Sequence, residues 1–195
     1  RQLVGGSTGT SGLSWSSSPG WEGLEEGARL ADMFGWPNNG PPVCRIFRQS
    51  QGPPLETAPA ILADGRIPWV SHKPSSGGVA ADRAGNNDSH WTNWGNYYKQ
   101  FYPKDIIVTY DHEHDRHAHS GSSNVNSAGW LAYQDDWREA FRRIKDRMVA
   151  ADTTNGNSHV TFAGIQTGFA FGQSANRDPG RSWHPEIDMW AADVY

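Results

Sequence analysis

Segments with the pattern of β-strands alternate with segments of helical pattern along this chain of 195 residues. Short β-prone, apolar runs occupy residues 2–5, 43–47, 67–72, 106–110, 160–165 and 187–194. Apolar residues at helical spacing occur between them, at residues 21–34, 57–63, 91–102 and 128–151. Because repeated β–α alternation buries a parallel sheet under helices, we expect an α/β fold built on parallel strands.

Two kinds of parallel sheet fit this alternation, an open doubly wound sheet and a closed barrel. The nucleotide-binding form of the open sheet carries a Gly-x-Gly-x-x-Gly turn after its first strand. Residues 5–9 read Gly-Gly-Ser-Thr-Gly, which matches that turn only loosely. The sequence thus weakens the nucleotide-binding interpretation.

Composition excludes several classes of partner and cofactor. The net charge is −4 and no basic run occurs, so nucleic acid is not expected as a partner. No apolar stretch approaches the length of a membrane span, and no secretory signal is visible. Cys44 is the single cysteine, which excludes an internal disulfide and a cysteine-based zinc site, and its apolar surroundings predict an inert strand residue. We expect no cofactor.

A burst of titratable residues follows the β-prone run 106–110 directly. Residues 111–115 read Asp-His-Glu-His-Asp, at the position where α/β folds keep their chemistry, the carboxyl end of a buried strand. Other predicted strand ends supply polar groups that should converge there, namely Arg45, Arg48, His72, Lys73, Asp193 and Tyr195. Tryptophans lie near these ends in the sequence, at 69, 91, 94, 183 and 190. Carboxylates among aromatic rings are typical of a sugar site, where the carboxylates do acid/base work on the glycosidic oxygen.

Several motifs together resemble the family-26 glycoside hydrolases, the β-mannanase-like (β/α)8 barrels. They are Ile-Ile-Val-Thr-Tyr-Asp-His-Glu at 106–113, Trp-Arg at 137–138 in the amphipathic helix, Asp-Met-Trp-Ala-Ala-Asp-Val-Tyr at 188–195, and Ser-His-Lys-Pro at 71–74. The resemblance extends from Leu3 to Tyr195 and implies a (β/α)8 barrel of the TIM type, of which about six βα units are present in one domain over residues 1–195. The chain begins at Arg1 and ends directly after an apolar run, so we expect an internal segment of a longer polypeptide.

The resemblance implies a retaining glycoside hydrolase that acts on a β-linked polysaccharide. Glu113 corresponds to the family's general acid/base. The other strand-end groups are candidate substrate-binding residues: His112, Tyr195, Asp193, Lys73 and Arg45. The family's nucleophile is a Glu on the seventh strand, which would lie beyond Tyr195; Glu186 precedes the last predicted strand and so lies at the wrong end of the barrel.

The loop after Glu113 departs from the family pattern, because it is rich in His and Ser where an aromatic region usually follows. The alternative is therefore a non-catalytic glycan-binding barrel in a larger extracellular assembly, such as a phage tail protein. Either protein would contact a polysaccharide or cell-envelope glycan, and other chains in an assembly, outside the cell or on a virion surface. A purely structural alternative for Glu113 is an ion pair with Arg45, Arg48 or Arg116.

A third hypothesis is a metal-dependent hydrolase that uses the cluster His112, His114, Asp115, His117 and His119. On an extended strand alternate side chains face one way, so His112 and His114 would share a ligand. The spacing argues against a zinc site, because the string matches neither His-x-His-x-Asp-His nor His-Glu-x-x-His. We therefore assign no metal to the site.

Overall fold

Strands and helices alternate in this computed structural model, which describes residues 43–49, 51–117, 127–167 and 185–193. The strands are β1 (Val43–Arg48), β2 (Ile67–His72), β3 (Ile106–Tyr110), β4 (Val160–Thr167) and β5 (Met189–Asp193). The helices are α1 (Thr57–Ala63), α2 (Gly78–Ala84), α3 (Asp88–Tyr98) and α4 (Ala128–Ala150). Short 3-10 turns occur at Lys99–Phe101 and His114–Arg116.

The five described strands form one parallel sheet in the order β1-β2-β3-β4-β5. The strand order follows the chain, so each crossover adds the next strand to the same edge. This confirms the predicted α/β fold with a parallel sheet. Five strands do not by themselves show closure of a (β/α)8 barrel. The predicted strand at 2–5 and helix at 21–34 lie outside the described residues.

Several elements differ from the sequence prediction. Helix α2 was not predicted, because Pro74 and the Gly77-Gly78 pair resemble a loop. Helix α3 begins at Asp88 rather than at residue 91 and gives way to the 3-10 turn after Tyr98. Strand β4 continues past residue 165 to Thr167, where the distant Asp115 carboxylate accepts hydrogen bonds from its backbone N–H and its hydroxyl.

Aromatic side chains are the largest members of the core between the sheet and helices α3 and α4. The largest fully buried members are Trp91, Trp94, Trp130, Trp137 and Tyr98. The tryptophans of helices α3 and α4 are therefore core residues, whereas Tyr102, which follows the 3-10 turn, is 49% exposed. No helix in the described part of the chain is long and apolar enough to span a membrane.

A buried carboxylate joins this core to the carboxyl end of β3. Asp82 on α2 accepts four hydrogen bonds, from the Ser75 backbone N–H (3.0 Å), the Tyr110 hydroxyl (2.8 Å), the Asn87 amide (2.8 Å) and the Trp91 indole N–H (3.0 Å). Hydrogen bonds to a charged acceptor are about twice as strong as neutral ones. Asp82 therefore fixes the loop after β2 and helices α2 and α3 against the last residue of β3.

Candidate functional site

The sheet face opposite the helices carries a row of polar and aromatic side chains. Cys44, Ile46 and Val70 pack into the helix-side core, so their alternating neighbours face the other way. These neighbours pair across the strands as Arg45 with Trp69 and Ile107, and as Phe47 with Ser71 and Thr109. This face continues towards the carboxyl ends of β1, β2 and β3.

Two aromatic rings on this face are held in place by polar partners. The indole N–H of Trp69 donates to the Thr109 hydroxyl at 2.7 Å. The Arg45 guanidinium donates to Ser71 Oγ at 2.9 Å and lies 4.6 Å from the Phe47 ring centroid and 5.8 Å from that of Trp69. Both rings are partly exposed. They form a preorganised apolar surface beside a cation.

The segment after β3 adopts an unusual backbone. Asp111 (φ 47°) and Glu113 (φ 59°) are both left-handed, a conformation that is costly for residues with a side chain. The Asp111 backbone N–H donates to the His72 carbonyl at 2.8 Å, and that of Glu113 donates to the Ile165 carbonyl at 2.9 Å. The segment is therefore attached to β2 on one side and to β4 on the other, and Glu113 stands at the carboxyl edge of the sheet.

The Glu113 side chain is largely buried, at 11% exposure. Its Oε2 lies 3.3 Å from Nη1 of Arg116, a mostly exposed side chain. The structure thus contains one of the three ion pairs considered for Glu113. Because Arg116 is exposed, we expect this pair to contribute at most about 1 kcal/mol to stability.

His112 lies between Phe47, on the polar and aromatic face of the sheet, and Glu113. Its ring meets the Phe47 ring edge-on, with centroids 4.9 Å apart. Burial, together with the positive charges of Lys73 and Arg45, lowers the pKa of His112 to about 3. His112 is therefore neutral at ordinary pH, and the structure brings it together with Lys73 and Arg45, two of the other predicted substrate-binding residues.

Asp111 is the most enclosed carboxylate of the segment, at 1% exposure. Its Oδ2 accepts a hydrogen bond from the Tyr133 hydroxyl at 2.6 Å and one from Nδ1 of His117 at 3.2 Å. Lys73 Nζ lies 4.0 Å from its Oδ1. Burial raises the pKa of Asp111, but the contacts with His117, Tyr133 and Lys73 outweigh it and lower the pKa overall.

His114 and Asp115 face away from the site. The His114 ring stacks on Trp137 with centroids 3.5 Å apart, and its Nδ1–H donates to Gln134 at 2.8 Å. Burial lowers the pKa of His114 to about 4. Asp115 binds Thr167. Two of the five proposed metal ligands thus serve packing, and the described residues contain no group of three or more that could hold a metal ion; His119 lies outside them.

The remaining predicted site residues are placed as follows. Asp193 ends β5 and pairs in register with Thr167 of β4, whereas Tyr195 lies outside the described residues. His72 is not at the mouth, because its ring is buried against Trp94 with centroids 4.5 Å apart. Sequence reasoning missed Tyr133, which its spacing assigned to the apolar face of α4; nothing in the sequence indicates that its hydroxyl reaches Asp111.

Comparison with known proteins supports the fold. No protein-family model matches the chain, and no curated protein matches it. Among solved structures, the mannanase BCman of Bacillus subtilis is similar over 92% of this chain and 60% of its own, with a TM-score of 0.62 and 11% identity. The YdhT protein of Bacillus subtilis is similar over 88% of this chain and 59% of its own, with a TM-score of 0.60 and 11% identity.

The chain therefore spans about three fifths of the length of each of these two proteins. At 11% identity the likeness shows the fold alone, a mannanase-like, TIM-barrel-like arrangement of strands and helices. It assigns no residue a role.

Proposed function

We propose that this chain belongs to a glycoside hydrolase that cleaves a β-linked polysaccharide, with Glu113 as the general acid/base. The observation that carries the proposal is the position of Glu113. It stands at the carboxyl end of β3, with its backbone bonded to β4, on a mannanase-like fold. Carboxyl ends of parallel strands are where barrel enzymes place their catalytic groups.

The proposed chemistry needs two carboxylates. Glu113 would protonate the leaving glycosidic oxygen and would then take a proton from the attacking water. A second carboxylate, about 5–5.5 Å from the Glu113 carboxyl as in retaining enzymes, would attack the anomeric carbon and form the covalent glycosyl-enzyme that water then hydrolyses. The family resemblance assigns that group to a seventh strand beyond Tyr195. Phe47 and Trp69 would offer ring faces to the apolar C–H faces of a pyranose.

The proposal is tested by Glu113→Gln in the complete protein, with reducing-end release from soluble β-mannan and other β-linked polysaccharides as the assay. Gln keeps the shape of the side chain and removes its proton, so we expect hydrolysis to fall by roughly 10²–10⁴-fold while glycan binding persists. Glu139→Gln, an exposed carboxylate on α4, is the matched control and should retain full activity. Wild-type hydrolysis in the Glu113→Gln variant would remove Glu113 from this role.

A glycan-binding barrel without hydrolysis is the second candidate. It is favoured by the fixed, partly exposed rings of Phe47 and Trp69 and by the Arg116 contact that occupies Oε2 of Glu113. In that case the wild-type protein would bind glycans and release no reducing ends. Trp69→Ala would then weaken binding, whereas Glu113→Gln would leave it unchanged. An extracellular or virion assembly, with other chains as partners, belongs to this second proposal.

A further inference from the structure

A buried carboxylate oxygen of Asp111 accepts two side-chain hydrogen bonds next to Glu113, in the segment that follows β3. Oδ2 of Asp111 accepts hydrogen bonds from Tyr133 on α4 and from His117, which follows the 3-10 turn. Oδ1 is buried as well and has no hydrogen-bond partner in the described part of the chain. Asp111 therefore depends on Tyr133 and His117 for its hydrogen bonds, with Lys73 at 4.0 Å as an additional positive charge.

The proton positions in this group follow from its chemistry. An ionised carboxylate only accepts, so the Tyr133 O–H and the Nδ1–H of His117 both donate to it. His117 Nδ1 also lies 3.3 Å from the Tyr133 oxygen, so the three side chains form a closed group. The raised pKa of Tyr133, caused by burial and by the Asp111 charge, keeps its hydroxyl protonated.

The group lies where the backbone is strained. Asp111 and Glu113 both have positive φ, and only His112 separates them. If Asp111 returned to an extended or right-handed conformation, the chain direction through His112 would change, and the Glu113 carboxylate would move with it. Contacts that hold the Asp111 side chain therefore also determine where the Glu113 side chain stands.

We propose that Asp111, held by Tyr133 and His117, is a positioning residue that presents Glu113 to the substrate. The inference rests on the proposed role of Glu113 and names three residues that act through it. Asp111 itself is too enclosed to act as a second catalytic carboxylate, at 1% exposure. His117 closes the turn from the solvent side, with 41% of its side chain exposed.

Steady-state hydrolysis of soluble β-mannan by the complete protein tests this role. Tyr133→Phe and His117→Ala should lower kcat roughly 10- to 100-fold, the size expected for a misplacement of about 1 Å, and should change KM less than about twofold. His117→Asn, whose amide N–H can replace Nδ1–H, should recover most of kcat. Tyr102→Phe removes a hydroxyl from an exposed ring and serves as the matched control.

A double-mutant cycle separates positioning from general stability. If Tyr133 acts only through Glu113, adding Tyr133→Phe to Glu113→Gln should leave the residual rate unchanged. A loss by the same factor in both backgrounds would overturn the proposal, as would a Tyr133→Phe variant with the kcat of the Tyr102→Phe control.

Amide hydrogen exchange makes the inference testable even if the wild-type protein cleaves no glycan. The Glu113 N–H, which donates to the Ile165 carbonyl, should exchange faster in Tyr133→Phe, while the amides of β3 stay unchanged. Faster exchange without hydrolysis would uphold the positioning of Glu113 and refute the hydrolase. Unchanged exchange at Glu113 would refute the positioning role, whatever the activity.

Discussion

Acidification should destabilise the fold through His72, a histidine that is buried in its neutral form. The side chain is 1% exposed, with Nε2 2.7 Å from the Tyr98 hydroxyl and its ring against the edges of Trp91 and Trp94. Burial lowers the pKa of His72 to about 3, and the nearby charges of His90 and Arg48 act in the same direction. An unfolded histidine titrates near pH ~6.5.

The direction and size of the effect follow from proton binding. Between pH ~6.5 and ~3 the unfolded chain binds a proton at this position that the folded protein does not. The free energy of unfolding therefore decreases as the pH falls. At about pH 5, ~1.5 units below the unfolded pKa, the loss amounts to ~2 kcal/mol at ~1.36 kcal/mol per unit. The loss should begin near pH ~6.5 and level off near ~3.

Other buried histidines add to this loss. His114, also fully buried, has a pKa of about 4 and should contribute a comparable amount. His112 has a pKa of about 3 but is partly exposed, so it should contribute less. The summed loss from these histidines is a large fraction of the ~5–15 kcal/mol by which an ordinary domain is stable.

Urea unfolding at about pH 7.5 and about pH 5, followed by tryptophan fluorescence, measures the difference in the free energy of unfolding. His72→Gln cannot titrate, and its amide can replace Nε2 opposite Tyr98, so its pH-dependent loss should be ~2 kcal/mol smaller than that of the wild type. His90→Gln, at a half-buried position, should reduce the loss by less. If His72→Gln shows the same pH-dependent loss as the wild type, the reasoning is wrong.

Four further substitutions test packing and buried hydrogen bonds by urea unfolding. Gly95→Ala should lower the free energy of unfolding by ~1–3 kcal/mol, because the new Cβ would lie 2.6 Å from the Met148 carbonyl oxygen. An increase in stability would contradict this. Gly52→Ala is the control: no atom lies within 4 Å of its Cβ, so stability should change by less than ~0.5 kcal/mol. Asp82→Asn should cost ~1–3 kcal/mol, since an amide N–H would then face a donor, and a neutral result would show that the four hydrogen bonds are dispensable. Trp137→Ala should lower the free energy of unfolding by ~3–5 kcal/mol, because it leaves a cavity in the core. A loss below ~1 kcal/mol would refute this.

Local pattern was sufficient to predict most of the described elements. Strands β1, β2 and β3 and the long helix α4 agree with their predicted ranges closely, because the strands are short β-prone runs and the apolar residues of α4 repeat at helical spacing. The same patterns predicted a parallel sheet, since helical segments separate the predicted strands up to residue 165. Helix α2 lacks such a pattern; its Asp82 accepts hydrogen bonds from the neighbouring segments at Ser75, Asn87 and Trp91 and from the more distant Tyr110 on β3.

The site shows where sequence reasoning ends. The sequence alone placed residues 111–115 at the carboxyl end of β3, beside the ends of β1 and β2. It also predicted that His112 and His114 face one way, as alternate residues of an extended strand do. In the structure the ring of His112 contacts Phe47, whereas that of His114 stacks on Trp137.

The physical reason is the backbone of Asp111 and Glu113. Their positive φ angles end the two-residue alternation at the last residue of β3. These angles are maintained by contacts with residues far along the chain, with Tyr133 on α4 and with the Ile165 carbonyl on β4. The order of the titratable residues is thus a property of the sequence, whereas the face that each one occupies is decided only by tertiary contacts.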